Sequence, residues 1–268
     1  MKHMKLLAGL AVAAALSTPA LAQVNLTAET ANANGVPGNT VLALGEFANA
    51  AGVANVQVAT GQTLTNSIQN VAEGKTDISA APFILPFLLS RGVGPYAKLG
   101  KDTGAEYADR LSVLYTYRLG VFTLSAYNSS SVKGWDSLEG KTIYNGPPRG
   151  AALTNARGVV KLATGLGDGE GYTGVQVNWD QAVKTMTDGS ADAFVLPSSF
   201  PDGRHTAAVA SGGITMWSMP KAAFESDATQ KYMKAPGSGK VDIPLSEAIQ
   251  PEGVNVVSED GRFRGVAT

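Results

Sequence analysis

One short pattern occurs twice in this chain, and it restricts the fold more than any single motif. From Val56 to Pro82 the sequence runs VQVATG…NVAEGKTDISAAP, and from Val175 to Pro197 it runs VQVNWD…TMTDGSADAFVLP. Each stretch holds a β-branched run, a helical segment, an acidic-Gly turn, an Asp, a second apolar run and a Pro. In the first, Leu64, Ile68, Val71 and Ala72 fall at i, i+4, i+7 and i+8, the spacing of one helix face. In the second, Trp179 to Thr187 places Ala182, Val183 and Met186 inward, and Asp188-Gly189 stops the helix. Strands that alternate with helices argue for a parallel sheet with helices packed on its faces. Chance likeness of generic β-α-β units explains the repeat as well as duplication does. Both explanations imply two α/β lobes.

The flanking segments extend each unit. Val24 to Thr30 alternates as a strand, and Ala31 to Asn39, rich in Asn, Gly and Pro, reads as a loop. Thr40 is placed to cap a helix that runs to Ala51. Asn55 to Ala59 and Thr76 to Ala81 complete the strands of the first lobe. In the second lobe the strands are Lys141 to Asn145, Val175 to Asn178, Ala191 to Leu196 and Gly213 to Met219. A helix after Gly150 aligns Leu153, Ala156, Val160 and Ala163. Two apolar runs between the lobes, Leu111 to Thr116 and Leu119 to Ala126, are expected to cross as hinge strands. The expected division is therefore 23–118 for lobe I, 119–219 for lobe II with a hinge at about 111–126, and 220–268 returning toward lobe I.

The N-terminus carries Lys2 and Lys5, an uncharged apolar run from Leu6 to Leu16, then Pro19 and Ala20-Leu21-Ala22. This is the order of a secretory signal peptide, with cleavage expected after Ala22. The apolar run is about half the ~20 residues that span a bilayer. No later stretch is long enough to do so, and the mature chain is expected to be a soluble, periplasmic monomer. Loss of the leader takes the basic count from 21 to 19, against 22 acidic residues. No Lys/Arg cluster supports nucleic-acid binding. There is no Cys, which removes disulfides, thiolate nucleophiles and Cys metal sites together.

Signals for chemistry are sparse. Beyond the leader there is one His, His205, in the polar turn Pro201-Asp202-Gly203-Arg204, where a surface position is expected. Neither H-E-x-x-H nor G-x-S-x-G occurs. The Gly-rich run from Gly165 to Gly171 lacks dinucleotide spacing and reads as a surface loop. Asp168 and Glu170 within it are too few carboxylates for a Ca²⁺ site. No catalytic group, metal or cofactor is expected.

Signals for binding are better. Gly146-Pro147-Pro148-Arg149-Gly150 lies between a strand and a helix. Free N–H groups at a helix start favour an anion, and Arg149 adds a planar, two-pronged donor. An Arg paired to a surface acid, with Gly150 merely permitting the turn, fits the residues equally well. Thr60, Gln62 and Thr63 hold the matching place in lobe I. Asn32, Asn34, Phe83, Asn178, Trp179 and Ser198 follow other strands toward the same mouth. Trp179 serves either as a cleft wall or as cover for its own helix. Arg118 either reaches the cleft or pairs locally.

At these residues the sequence resembles the TAXI type of TRAP-transporter solute receptors. The resemblance rests on SIQNVAEGKTDISAAPF from Ser67, GPYAKLG from Gly94, SLEGKTIYNGPPRGAA from Ser137 and DGSADAFVLP from Asp188. It covers roughly Val24 to Phe224. It implies a two-lobed periplasmic binding-protein fold (type II-like) and delivery to TRAP permease subunits. The implied ligand is an organic acid, of the dicarboxylate or acidic amino acid class. Arg149, Thr60, Gln62 and Thr63 become the leading contacts. Two departures are visible: ANANGVPGN replaces the usual Gly-Tyr-rich turn, and such receptors usually continue for some dozens of residues past Thr268. The chain is therefore read as a fragment or a short form. An ABC-importer receptor, a sensor of the same fold, or an enzyme on the same scaffold are the alternatives.

Overall fold

The computed structural model describes residues 23–117 and 120–267. The expected signal peptide and Arg118 lie outside them. Two α/β lobes are present, each a sheet with helices packed against it.

Lobe I contains β1 (Val24–Glu29), α1 (Val36–Ala50), β2 (Ala54–Ala59), α2 (Leu64–Ala72), β3 (Ile78–Ser79), α3 (Ile84–Arg91) and α4 (Gly100–Asp109). Its sheet has the order β2-β1-β3 and is wholly parallel. The inner face of β1, through Ala28, packs with Val41 of α1 and with Val56 and Val58 of β2. Ile68 and Ala72 of α2 join Leu85, Leu89 and Tyr96 in a second cluster. The apolar spacing read in the sequence thus finds its partners.

Lobe II contains β4 (Val121–Tyr127), β5 (Thr142–Tyr144), α5 (Ala151–Thr164), β6 (Thr173–Val175), α6 (Ala182–Thr187), β7 (Ala193–Ser198), α7 (Gly203–Ala208), β8 (Ile214–Trp217), α8 (Lys221–Glu225), α9 (Asp227–Tyr232), β9 (Gly239–Pro244), β10 (Val254–Val257) and β11 (Arg262–Ala267). Its sheet runs β10-β8-β4-β7-β5-β6, with β11 on β4 and β9 on β11. Within it, β5 lies between β6 and β7 and is parallel to both. In lobe I, β1 lies between β2 and β3 in the same way. The sequence repeat is therefore a repeat of topology, with a central strand followed by its two neighbours.

Several expectations need correction. The second sheet is mixed, because β4 is antiparallel to both β7 and β8. Of the two runs expected as hinge strands only the second forms a strand, β4, and it lies inside the lobe II sheet between β7 and β8. Residues Leu111 to Thr116 belong to no strand, and Val113 and Leu114 are 72% and 66% exposed. The places beside β4 are already held by β7 and β8, so this run has no ladder to join. Helix α1 begins at Val36 and not after Thr40, with Gly35 as its N-cap and Pro37 in its first turn, where a missing N–H costs nothing. In the C-terminal segment β10 pairs with β8, and β11 with β4 and β9, so these strands extend lobe II. Its approach to lobe I is the turn at Gly237, against Ile84.

Candidate functional site

The carboxyl ends of six parallel strands meet between the lobes. Residues that follow β1, β2 and β3 (Asn32 and Gly35, Thr63, Pro82) face residues that follow β5 and β6 or end β7 (Arg149 and Gly150, Trp179, Pro197) across a cavity of about 60 Å³. Ligands bind at this edge in open α/β sheets.

Three helices start at its wall: α1 through Val36, α2 through Leu64 and α5 through Ala151. Their N-cap residues are Gly35, Thr63 and Gly150, and none makes a side-chain capping bond. Their first-turn N–H groups therefore have no side-chain acceptor, although Pro37 offers no N–H and the N–H of Asn66 donates to the Thr63 carbonyl at 2.8 Å. Each helix start carries roughly half a positive charge. Among the described residues no Asp or Glu lines the cavity, whereas Arg149 and Arg204 do. The rest of the wall is mainly apolar, with Leu64, Leu85, Phe122 and Trp179 among its larger side chains. Such a wall suits a small anion with an apolar body.

Arg149 is exposed and has no acidic partner among the described residues. Gly150 adopts φ 102°, a left-handed backbone that favours glycine, and a Cβ there would approach Thr65 Oγ1 to 2.9 Å. The lobes are therefore in contact at this turn. A second contact lies across the cavity, where the buried Asn32 donates through Nδ2 to the carbonyl of Trp179. Its Oδ1 accepts from the N–H of Asn34 at 2.8 Å, which fixes the amide orientation.

Of the residues singled out in the sequence, the structure brings together Asn32, Thr63, Arg149, Gly150 and Trp179. It places the others elsewhere. Thr60 and Gln62 are exposed and paired with each other, Gln62 Nε2 donating to the Thr60 carbonyl at 3.3 Å. Asn34 and Asn178 are exposed, and Phe83 is 69% exposed. Ser198 is buried and its hydroxyl pairs with Thr123 at 2.9 Å. Gly146 is buried beneath the ring of Trp179. The helix expected from Trp179 begins at Ala182; Trp179 precedes it, packs with Ala182 and Met186 of α6 and also lines the cavity.

Sequence reasoning missed Arg204 and misplaced His205. Both are buried. Asp202 caps α7, accepting from the N–H groups of Arg204 and His205, and this turns both side chains inward. Arg204 binds Asp202 through Nε at 3.2 Å and Nη2 at 2.9 Å. Burial pushes the Asp202 carboxyl up, but the charge and hydrogen bonds of Arg204 outweigh this and hold it at about 2. His205 Nε2 lies 3.1 Å from Ser125 Oγ, and its Nδ1 has no partner. Burial lowers the His205 pKa against the pull of Asp202. The available signal was Asp202 standing directly ahead of α7 (Gly203–Ala208), a residue type favoured as a cap. In the Gly165–Gly171 loop, the carboxylate of Asp168 is taken by Arg157 at 2.7 Å and by the N–H of Gly174 at 2.8 Å. Among the described residues there is no cluster of metal-ligating side chains, and no helix is long and apolar enough to cross a membrane.

No protein-family model and no curated protein matches the sequence. Solved structures similar to this chain include the periplasmic aliphatic sulphonate-binding protein of Escherichia coli, at 13% identity and a TM-score of 0.41 over 71% of this chain and 58% of that one. A TRAP periplasmic solute-binding protein of Ralstonia eutropha with bound (S)-2-acetolactate is similar at 13% identity and a TM-score of 0.46, over 72% and 65%. The chain thus spans less than two thirds of the length of either.

Proposed function

We propose that this chain is an extracytoplasmic receptor that captures a small organic anion and delivers it to a TRAP-type permease, as its resemblance to the TAXI receptors implies. One observation carries the anion reading: three helix N-termini without side-chain caps, together with Arg149, converge on a cavity that no carboxylate lines. The export reading rests on the basic, apolar and small-residue order of the first 22 residues.

Arg149 supplies the only guanidinium on that wall not already tied to an acid among the described residues. It binds one carboxylate edge while the N–H groups that open α5 share its charge. The apolar wall covers the carbon skeleton. Closure of the lobes then removes the anion from water, which strengthens both contacts.

The test is calorimetric titration with a panel of short carboxylates, preceded by thermal-shift screening. A ligand at about a hundred times its Kd stabilises the fold by ~2.7 kcal/mol, a readily visible shift. Arg149→Ala is expected to lower affinity at least tenfold while leaving the unliganded melting temperature unchanged, since the side chain is exposed and unpaired. A flat screen across the whole panel overturns the anion reading.

A further inference from the structure

We infer that Arg204 sets the ligand specificity of this cavity by donating to an uncharged oxygen, so that the ligand is a monocarboxylate bearing a carbonyl or hydroxyl group. The inference rests on the anion reading above and narrows it.

Arg204 sits in the first turn of α7, is 3% exposed, and forms part of the cavity wall. Three of its contacts are fixed. Nε and Nη2 go to the two oxygens of Asp202, and Nη2 also reaches the carbonyl of Pro197. The guanidinium lies over the Trp179 ring, 5.7 Å from its centroid. That leaves Nη1 with no hydrogen-bond partner among the described residues. Nη1 is not among the enclosed unpartnered atoms, and on a residue of the cavity wall such a donor is open to an acceptor on a ligand.

The chemistry of the missing partner follows from charge. Asp202 and Arg204 form a tight pair with no net charge, and no other acid lines the wall. A second carboxylate at this end would lose its hydration and meet no net positive charge to offset it. An ammonium group would face the guanidinium N–H with no carboxylate to receive it. A carbonyl or hydroxyl oxygen accepts from Nη1 without adding charge. Dicarboxylates and amino acids are thus disfavoured, and 2-oxo or 2-hydroxy acids favoured.

Pyruvate, propionate, alanine and succinate separate these cases in calorimetric titrations of the whole chain. Pyruvate is expected to bind at least about tenfold more tightly than propionate, which lacks only the carbonyl oxygen. Alanine and succinate should bind more weakly than pyruvate. Arg204→Lys, which keeps a cation for Asp202 but loses the fork, should bring pyruvate and propionate to within about twofold, with circular dichroism confirming the fold. Equal binding of pyruvate and propionate by the unmodified chain overturns the inference without any variant and leaves the anion reading standing. So does tighter binding of succinate or alanine. If none of the four binds, this inference falls, and the wider carboxylate panel decides the anion reading separately.

Discussion

His205 shows how far a residue's surroundings depend on its neighbours in space. A lone His after Pro-Asp-Gly reads as a surface residue, yet it is 2% exposed, held between Ser125 and the Asp202–Arg204 pair. Because burial lowers its folded pKa, it is neutral in the native state and binds its proton more readily when unfolded. Stability should therefore be level above about pH 7 and decline as the pH falls below the unfolded value of ~6.5. Asp202 behaves differently: its carboxyl is held at about 2, below its unfolded value. It contributes roughly 2 kcal/mol above pH 4, lost as the pH falls toward 2. Urea denaturation at a series of pH values should show two separate declines. His205→Gln should remove the upper one and leave the lower; survival of the upper decline in that variant excludes His205 as its source.

Elements were legible where a periodic face found a partner, and obscure where the ladder was already full. The α2 and α5 faces and the β-α-β order followed from spacing alone. The run from Leu111 to Thr116 has the composition of a strand, but the places beside β4 belong to β7 and β8. Helix packing adds a constraint that propensity does not carry. Gly104 of α4 lies so close to α3 that a Cβ would strike the carbonyl oxygen of Leu89. Gly104→Ala would favour an isolated helix, yet here it should destabilise lobe I by about 1–3 kcal/mol through overpacking. Thermal unfolding of the variant checks the sign; a raised melting temperature would show that the two helices separate without cost.

At the scale of the whole molecule, the lobes meet through few polar contacts. Asn32 is central among them, since its amide links the strand end of β1 to Trp179 in the other lobe. Asn32→Ala leaves that carbonyl without its donor at a cost of about 1 kcal/mol. The expected result is a more open molecule, seen as a larger radius of gyration in solution scattering, with weaker ligand binding. An unchanged radius in the unliganded variant would locate the closing force in the apolar contact of Ala31 and Leu64 with Trp179 and its neighbours.

The sequence by itself determined the alternation of strands and helices and the presence of two lobes, and it singled out the turn from Gly146 to Gly150 as the proposed place for an anion. Each follows from local chemistry: periodicity, turn residues, and the charge of an Arg at a helix start. Only the tertiary structure decided which helix starts converge, that Thr60 and Gln62 turn away while Thr63 turns in, and that Arg204 enters the wall. Those outcomes depend on side-chain direction and on contacts between distant residues. Asn32 and Trp179 are 147 positions apart, a relation that spacing along the chain does not encode.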